Sequence, residues 1–175
     1  MAANWTAFVA SDVLTAAQLN GVVDNFQDIA IFNETQATNT AGGASVATTY
    51  TKRTLNTTIV NNIGATLTAS VIALVAGTYT VEAISPFLAT AELGLRLRNT
   101  TDSTTAVQGV NNFFNQTGVV GGYAQLQGYF TITGTKNFEL QYYAAQNRAT
   151  DGLGRAVNAT GVSEIYSSIK ITRIA

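Results

Sequence analysis

From residue 50 onward, apolar and polar residues alternate with a period of two. The alternation is clearest at residues 92–98, where three leucines alternate with Gly94, Arg96 and Arg98. This pattern is typical of a strand with one buried and one exposed face. Turn-forming residues separate the segments of this kind, which cover residues 53–60, 67–74, 77–85, 92–98, 105–114, 123–133, 136–145 and 164–174. The pattern predicts an all-β fold, a jelly-roll-like β-sandwich of about eight antiparallel strands.

The N-terminal part of the chain has a helical period instead. Its apolar stripe has the 3-4-3 spacing of a coiled-coil seam, formed by Leu19, Val22, Phe26 and Ile29 and continued by Asn33. Thr15 is a good N-cap, and Gln18 completes a capping box with it. We therefore predict one amphipathic helix over residues 16–34. The stripe packs either on its own domain or on copies of the helix, and the seam spacing favours copies.

Residues 1–14 are predicted to form an extended arm. Its large apolar side chains have little local structure to bury them, so they are candidate docking residues for a partner: Trp5, Phe8, Val13 and Leu14. The alternative is that the arm folds back onto its own sandwich. Residues 35–49 are small and polar and are predicted to be a linker. The chain is thus divided into an N-terminal attachment segment, 1–49, and a sandwich body, 50–175.

Composition narrows the functional classes. Only 11% of the residues are charged, the net charge is −1 and no basic cluster is present, which excludes an ordinary nucleic-acid-binding surface. The most apolar stretch, residues 65–76, is too short and too rich in threonine to span a membrane. The start of the chain lacks the features of a signal peptide, so a cytosolic product is expected. An uncharged polar surface of this kind suits a protein that is covered in an assembly.

The chain has no histidine and no cysteine, which removes the commonest general base and the usual zinc ligands. No cofactor and no metal are expected. The only loose oxygen-ligand pairs for calcium, Asn99 with Asp102 and Asn147 with Asp151, are more typical of turns. Three carboxylates lie within predicted strands: Glu82, Glu139 and Glu164. They are expected to face solvent or to pair across a strand with Arg96, Arg98 or Lys170. The prediction is therefore that the protein is not an enzyme.

Tyrosine side chains on the predicted strands offer rings that stack on sugars. Tyr123, together with Arg148 and Arg155 in the long loop at residues 146–161, forms the candidate glycan contact. The alternative is that such tyrosines are half-buried strand residues.

Two sets of motifs resemble known families. Trp5-Thr6-Ala7-Phe8, followed by D-V-L-T-A-A-Q-L-N at residues 12–20, resembles the opening of many tailed-bacteriophage virion proteins, in which a short arm leads into a helix. The strings L-V-A-G-T-Y-T-V at residues 74–81 and S-S-I-K-I-T-R-I at residues 167–174 resemble core strands of trimeric jelly-roll heads like the tumour-necrosis-factor and complement-C1q group.

These resemblances imply a non-enzymatic structural protein of the bacteriophage virion, assembled in the host cytoplasm. The expected form is a homotrimer, with Leu19, Val22, Phe26, Ile29 and Asn33 as the trimer interface. Its expected role is capsid decoration, in which it binds the major capsid protein or another virion protein and stabilises the shell as a cement protein. The alternative is a short tail-fibre or head-fibre knob that binds a host-surface glycan. The predicted helix is only about 28 Å long, which favours the decoration role over a reaching fibre.

Overall fold

Two antiparallel sheets contain nearly all of the regular structure. The structure, a computed structural model, describes Thr15 and residues 28–114 and 120–174. Within these residues the strands are β1 (Ile29–Gln36), β2 (Thr51–Lys52), β3 (Thr57–Asn61), β4 (Thr66–Thr68), β5 (Val71–Leu74), β6 (Gly77–Leu88), β7 (Ala91–Asn99), β8 (Thr104–Gln108), β9 (Asn112–Phe114), β10 (Gly121–Ile132), β11 (Lys136–Ala144) and β12 (Glu164–Arg173). In this part of the chain, no helix is long and apolar enough to cross a membrane.

The five-stranded sheet has the order β10-β6-β12-β1-β3. The seven-stranded sheet has the order β4-β5-β11-β7-β8, with β2 added to β11 and β9 added to β7. The predicted all-β antiparallel sandwich is confirmed. The predicted strand number was too low, partly because the segment at residues 67–74 turns back on itself at Ala69 and Ser70, which have φ values of 49° and 64°. Pro86 does not end β6. Strand β12 pairs with β6 only as far as Ile84, so Pro86 lies where β6 has no neighbour on that side.

The predicted helix over residues 16–34 is wrong from residue 29 onward, because those residues form β1. Strand β1 lies between β12 and β3, and it buries Ala30 and Phe32 completely. The β-branched residues Ile29 and Ile31 suit a pleated, half-buried surface. Pairing on both sides therefore overrides the helical spacing, and the sandwich includes residues 29–36. The rest of the predicted helix, with Leu19, Val22 and Phe26, and the arm, with Trp5, Phe8, Val13 and Leu14, lie outside the described residues.

Aromatic rings fill the space between the sheets. Tyr79 and Phe130 of the five-stranded sheet stack with their centroids 5.6 Å apart. Phe130 in turn meets Phe138 of the seven-stranded sheet at 5.0 Å. Burial of one such side chain stabilises the fold by about 1.5–3 kcal/mol. This column of rings packs the two sheets together at the end of the core where Tyr79 pairs with Arg173.

A buried ion pair also links the sheets. Glu34 belongs to β1, and Arg53 follows β2 and donates its backbone N–H to Leu140 of β11 at 2.8 Å. The Arg53 Nη2 atom lies 2.7 Å from Glu34 Oε2, and the two side chains are 0% and 1% exposed. Arg53 Nε also donates to Ser167 Oγ at 2.6 Å. Burial raises the pKa of Glu34, and the charge of Arg53 counteracts that rise.

The two ends of the sandwich differ. Residues 28 and 173 lie together at one end, where Arg173 N donates to Asp28 O at 2.8 Å. We call this the entry end, because the N-terminal segment enters the sandwich there. Since neighbouring strands run antiparallel, the end of β11 and the starts of β7 and β10 lie at the opposite end, the loop end. The predicted linker packs there: Gly42 N donates to Gly154 O at 2.9 Å, and Ser45 N donates to Arg148 O at 3.0 Å.

Candidate interaction surfaces

The outer side of the five-stranded sheet, here called the five-strand face, carries regular rows of side chains. The strand register aligns Gln125, Ile84, Ser168 and Asn33 in one row across β10, β6, β12 and β1. A second row contains Tyr129, Thr80, Thr172 and Ile29. The alternation along each strand turns these residues away from the core. These two rows contain no charged side chain.

Large apolar side chains on this face are left in solvent. Ile165 and Tyr123 near the loop end are 59% and 58% exposed, and Tyr129 toward the entry end is 69% exposed. The ion pair on the face, between Lys170 and Glu82, has a separation of 3.9 Å and is well exposed. Exposed apolar side chains grouped on one face make it a candidate interaction surface.

Two of the residues predicted for the trimer interface lie on the five-strand face. Ile29 and Asn33 are both outward-facing residues of β1, although β1 is a strand rather than the predicted helix. Asn33 is only 8% exposed, and its Oδ1 atom has no hydrogen-bond partner among the described residues. The role of these residues in a trimer stays a prediction.

At the loop end, the five-strand face deepens into a groove of about 410 Å³, which we call the loop groove. Tyr123 and Arg155, two of the three predicted glycan contacts, line this groove with Val157, Val162 and Ile165. The structure thus brings together two residues that are far apart in the sequence.

The third predicted glycan contact, Arg148, does not line the groove. Its Nε atom binds Asp151 Oδ1 at 2.7 Å, and Arg155 binds the other carboxylate oxygen of Asp151 at 3.3 Å. The hydrogen bond from Arg148 is the main reason that the pKa of Asp151 lies below its ordinary value. Arg148 is therefore occupied in bracing the loop, whereas the side chain of Arg155 stays 60% exposed.

The wall of the groove depends on Glu164, whose predicted role was wrong. Instead of facing solvent or pairing across a strand, this carboxylate is buried and accepts backbone N–H groups of Val157, Asn158 and Asn39 at 2.9, 3.1 and 3.3 Å. These hydrogen bonds, led by the one from Val157, hold the pKa of Glu164 below its ordinary value. Beside it, burial raises the pKa of Tyr166 to about 12. The local sequence gave no signal, because the donors belong to loops.

The outer side of the seven-stranded sheet, the seven-strand face, has a different chemistry. Arg96 donates through Nε to Gln141 at 2.9 Å, and Gln141 donates to Glu139 at 2.7 Å. Lys52 lies 3.5 Å from Glu139. The predicted cross-strand pairing is confirmed for Glu82, which pairs with Lys170 on the opposite face. Glu139 also pairs across strands, but with Lys52 rather than with one of the three predicted cations. Most charged groups on the seven-strand face have partners within the chain.

In the candidate calcium loops, the side-chain oxygens make contacts that are typical of turns. Asn99 Nδ2 donates to Asp102 Oδ2 at 2.8 Å, and Lys136 binds the other oxygen of Asp102 at 2.6 Å. Asp151 lies between its two arginines, as described above. No group of three acidic, histidine or cysteine residues that could hold a metal ion is found over residues 28–114 and 120–174.

Comparison with known proteins supports the fold. No family model matches the chain, and no curated protein matches its sequence. The globular domain of zebrafish complement 1qA protein is similar to it, with a TM-score of 0.53 at 15% identity over 84% of this chain and 95% of that chain. Eiger TNF from S. frugiperda has a TM-score of 0.55 at 16% identity, over 84% and 92%. Murine APRIL at pH 5.0 has a TM-score of 0.50 at 6% identity, over 83% and 98%. The chain therefore has a jelly-roll sandwich like those of the tumour-necrosis-factor and C1q proteins.

Proposed function

We propose that the protein is a non-enzymatic, homotrimeric structural protein of a bacteriophage virion, and that it decorates and stabilises the capsid shell. The trimer is inferred from the exposed apolar side chains of the five-strand face. The isoleucine and tyrosine side chains of this face are exposed in the single chain, and neighbouring copies packed around a threefold axis would cover them. The likeness in fold to C1q and TNF domains supports the same assembly, since the sequence resembles the trimeric members of that group.

The N-terminal segment is proposed to attach the trimer to the particle. Its arm carries the motif that resembles phage virion proteins, with Trp5 and Phe8 as the anchors. The segment joins the sandwich at residue 28, which lies at the entry end. A buried aromatic anchor at an interface often contributes about 2 kcal/mol or more. Three arms per trimer would strengthen binding to the major capsid protein, or to another virion protein, through avidity.

The trimer is tested by sedimentation equilibrium of the purified protein. We expect three times the chain mass of 18.4 kDa at micromolar concentration. The attachment role is tested with a variant lacking residues 1–14, added to particles stripped of this protein. It is expected to keep its far-ultraviolet circular dichroism spectrum and to rebind far more weakly. Equal rebinding by the truncated and full-length proteins would place the docking surface on the sandwich.

A second candidate function is a fibre knob that binds a host-surface glycan. The separation of the two ends favours it, because the loop groove lies at the end opposite residue 28, where the proposed attachment segment joins the sandwich. Counting copies per particle separates the two functions. Hundreds of copies indicate decoration of the shell, whereas a few dozen or fewer indicate a fibre.

A further inference from the structure

A concave site of about 560 Å³ lies on the seven-strand face, close to the loop end. We call it the tyrosine cleft, and its walls are the rings of Tyr50, Tyr143 and Phe113. Its floor is Gly94, where a Cβ atom would lie 3.8 Å from the Tyr50 hydroxyl and 4.0 Å from Asn111 Oδ1. The missing side chain leaves the floor open between the rings. The volume is within the usual range for small-molecule sites.

The ring of Tyr50 is held in place from two directions. The guanidinium of Arg96 lies 3.7 Å from its centroid, and Gln108 Nε2 donates to its hydroxyl at 3.2 Å. Tyr143 meets the same ring at a centroid distance of 5.6 Å and an angle of 54°. Phe113, by contrast, is 59% exposed at the rim. A rigid, partly exposed pair of rings loses little conformational entropy when it binds a ligand.

Three polar side chains of the cleft are unpartnered. Within the described part of the chain, no hydrogen bond is made by the carboxylate of Glu92, the side-chain amide of Asn111 or the hydroxyl of Tyr143. Elsewhere on this face, polar side chains such as Arg96 and Gln141 bind one another. The cleft therefore combines fixed aromatic surface with hydrogen-bonding groups that are free to meet a ligand.

We infer that the tyrosine cleft binds one pyranose ring of a neutral glycan. This inference rests on the second function proposed above and gives it a site other than the predicted glycan contacts at Tyr123, Arg148 and Arg155. A pyranose presents an apolar C–H face, which packs on an aromatic ring, and a rim of hydroxyls. Those hydroxyls can donate to Glu92 and both donate to and accept from Asn111. The negative charge of Glu92 disfavours acidic sugars. Arg96 does not offset this charge, because its guanidinium already lies against the ring of Tyr50.

The cleft also suits the proposed assembly. It lies on the seven-strand face, whereas the trimer is proposed to form through the five-strand face. A trimer would therefore present three clefts on its outside, all near the loop end. One sugar per cleft gives weak binding, roughly millimolar for a monosaccharide, and three clefts on one receptor give much stronger binding by avidity.

The test is a titration of the full-length ¹⁵N-labelled protein with the methyl glycosides of glucose, galactose, N-acetylglucosamine and glucuronic acid. We expect at least one neutral glycoside to shift the amide resonances of residues 92–94, 111–113 and 143, and we expect methyl glucuronide to bind several-fold more weakly. Tyr143→Ala should weaken binding about tenfold, since it removes one stacking ring. Asn111→Ala, on an exposed side chain, should weaken it several-fold without any effect on folding.

Three results would overturn the inference: no shift with any glycoside at tens of millimolar, shifts confined to the loop groove, or unchanged affinity in both variants. Ile84→Asp, on the five-strand face, separates this test from that of the trimer. We expect it to yield a monomer that binds the monosaccharide with the same affinity but has lost avid binding to a surface coated with that glycan. A trimer without sugar binding would refute only the cleft, and sugar binding by a wild-type monomer would refute only the trimer.

Discussion

The two outer faces of the sandwich are built from strands with the same alternating pattern, yet their outward side chains differ in how many partners they have within the chain. On the seven-strand face, Arg96, Gln141 and Glu139 form a connected set of hydrogen bonds at 2.9 and 2.7 Å. On the five-strand face, Ile165 and Tyr129 stand exposed without such partners. Outside the tyrosine cleft, polar groups of the seven-strand face are paired within the chain, whereas the five-strand face exposes apolar side chains, as expected of a surface that a second molecule covers.

The largest expected effect on stability concerns the buried ion pair between Glu34 and Arg53, which links the two sheets. Arg53→Ala would leave Glu34 buried without its cation, so we expect a loss of about 3–5 kcal/mol in the free energy of unfolding. Urea denaturation followed by circular dichroism measures it. The double variant Glu34→Leu with Arg53→Met is the matched control, and it should recover most of that loss because no charge stays buried. A double variant as unstable as Arg53→Ala would show that the pair itself holds the sheets together.

The next prediction tests the five-strand face directly. Ile84→Asp places a charge between Gln125 and Ser168 on this face, so we expect the trimer to dissociate to monomers at concentrations at least tenfold higher than for the wild type. Analytical ultracentrifugation gives the mass. Val75→Asp is the matched control, because Val75 is similarly exposed but lies in the connection between β5 and β6. Equal weakening by both substitutions would mean that net charge, rather than this face, controls association.

A third prediction concerns pH and the wall of the loop groove. The pKa of Glu164 is lowered from its ordinary value of 4.5, so its contribution to stability is present above that pH and is lost as the pH falls through the lower native value. Glu164→Gln should therefore have a lower melting temperature than the wild type at pH 7, and the gap should narrow below about pH 4.5. Glu92→Gln, at an exposed carboxylate on β7, serves as the control for the loss of one negative charge. A gap that stays constant from pH 7 to pH 3 would contradict this account.

The smallest effects compare single cations on the two faces. Arg96→Met removes a hydrogen bond to Gln141 and a cation–π contact with Tyr50, so a loss of about 1 kcal/mol in unfolding free energy is expected. Lys170→Met removes only an exposed ion pair with a 3.9 Å separation, and we expect a change of less than about 0.5 kcal/mol. Chemical denaturation of both variants, side by side, checks the order. The reverse order would mean that the five-strand face is also stabilised from within the chain.

Much of the sandwich could be predicted from the period of two, because one buried face imposes that pattern on a strand. The strands around Leu95 and Leu140 were found this way. Strand β1 was missed, since its apolar residues also fit a helical spacing, and only its neighbours β12 and β3 decide between the two. The short strands β2 and β9 contain too few residues to show any period.

The candidate sites were less predictable, for a related reason. Tyr123 and Arg155 were identified from residue type alone, and the structure places both in the loop groove. Glu164 was misassigned because its partners are backbone N–H groups of two loops, and the sequence does not show that these loops fold against its carboxylate. The tyrosine cleft was missed because Tyr50 and Tyr143 come together only when β11 pairs with its neighbours.

The position of β12 has a consequence for how the chain folds during synthesis. It is the last strand along the described chain, yet it lies in the middle of the five-stranded sheet, between β6 and β1. A nascent chain without β12 therefore has two unpaired strand edges, and Arg53 lacks the Ser167 hydroxyl that binds it in the finished fold. Open edges of this kind pair readily with other chains. Folding of the sheet must wait until residues 164–173 have left the ribosome, so chains interrupted before that point are the ones most prone to aggregate.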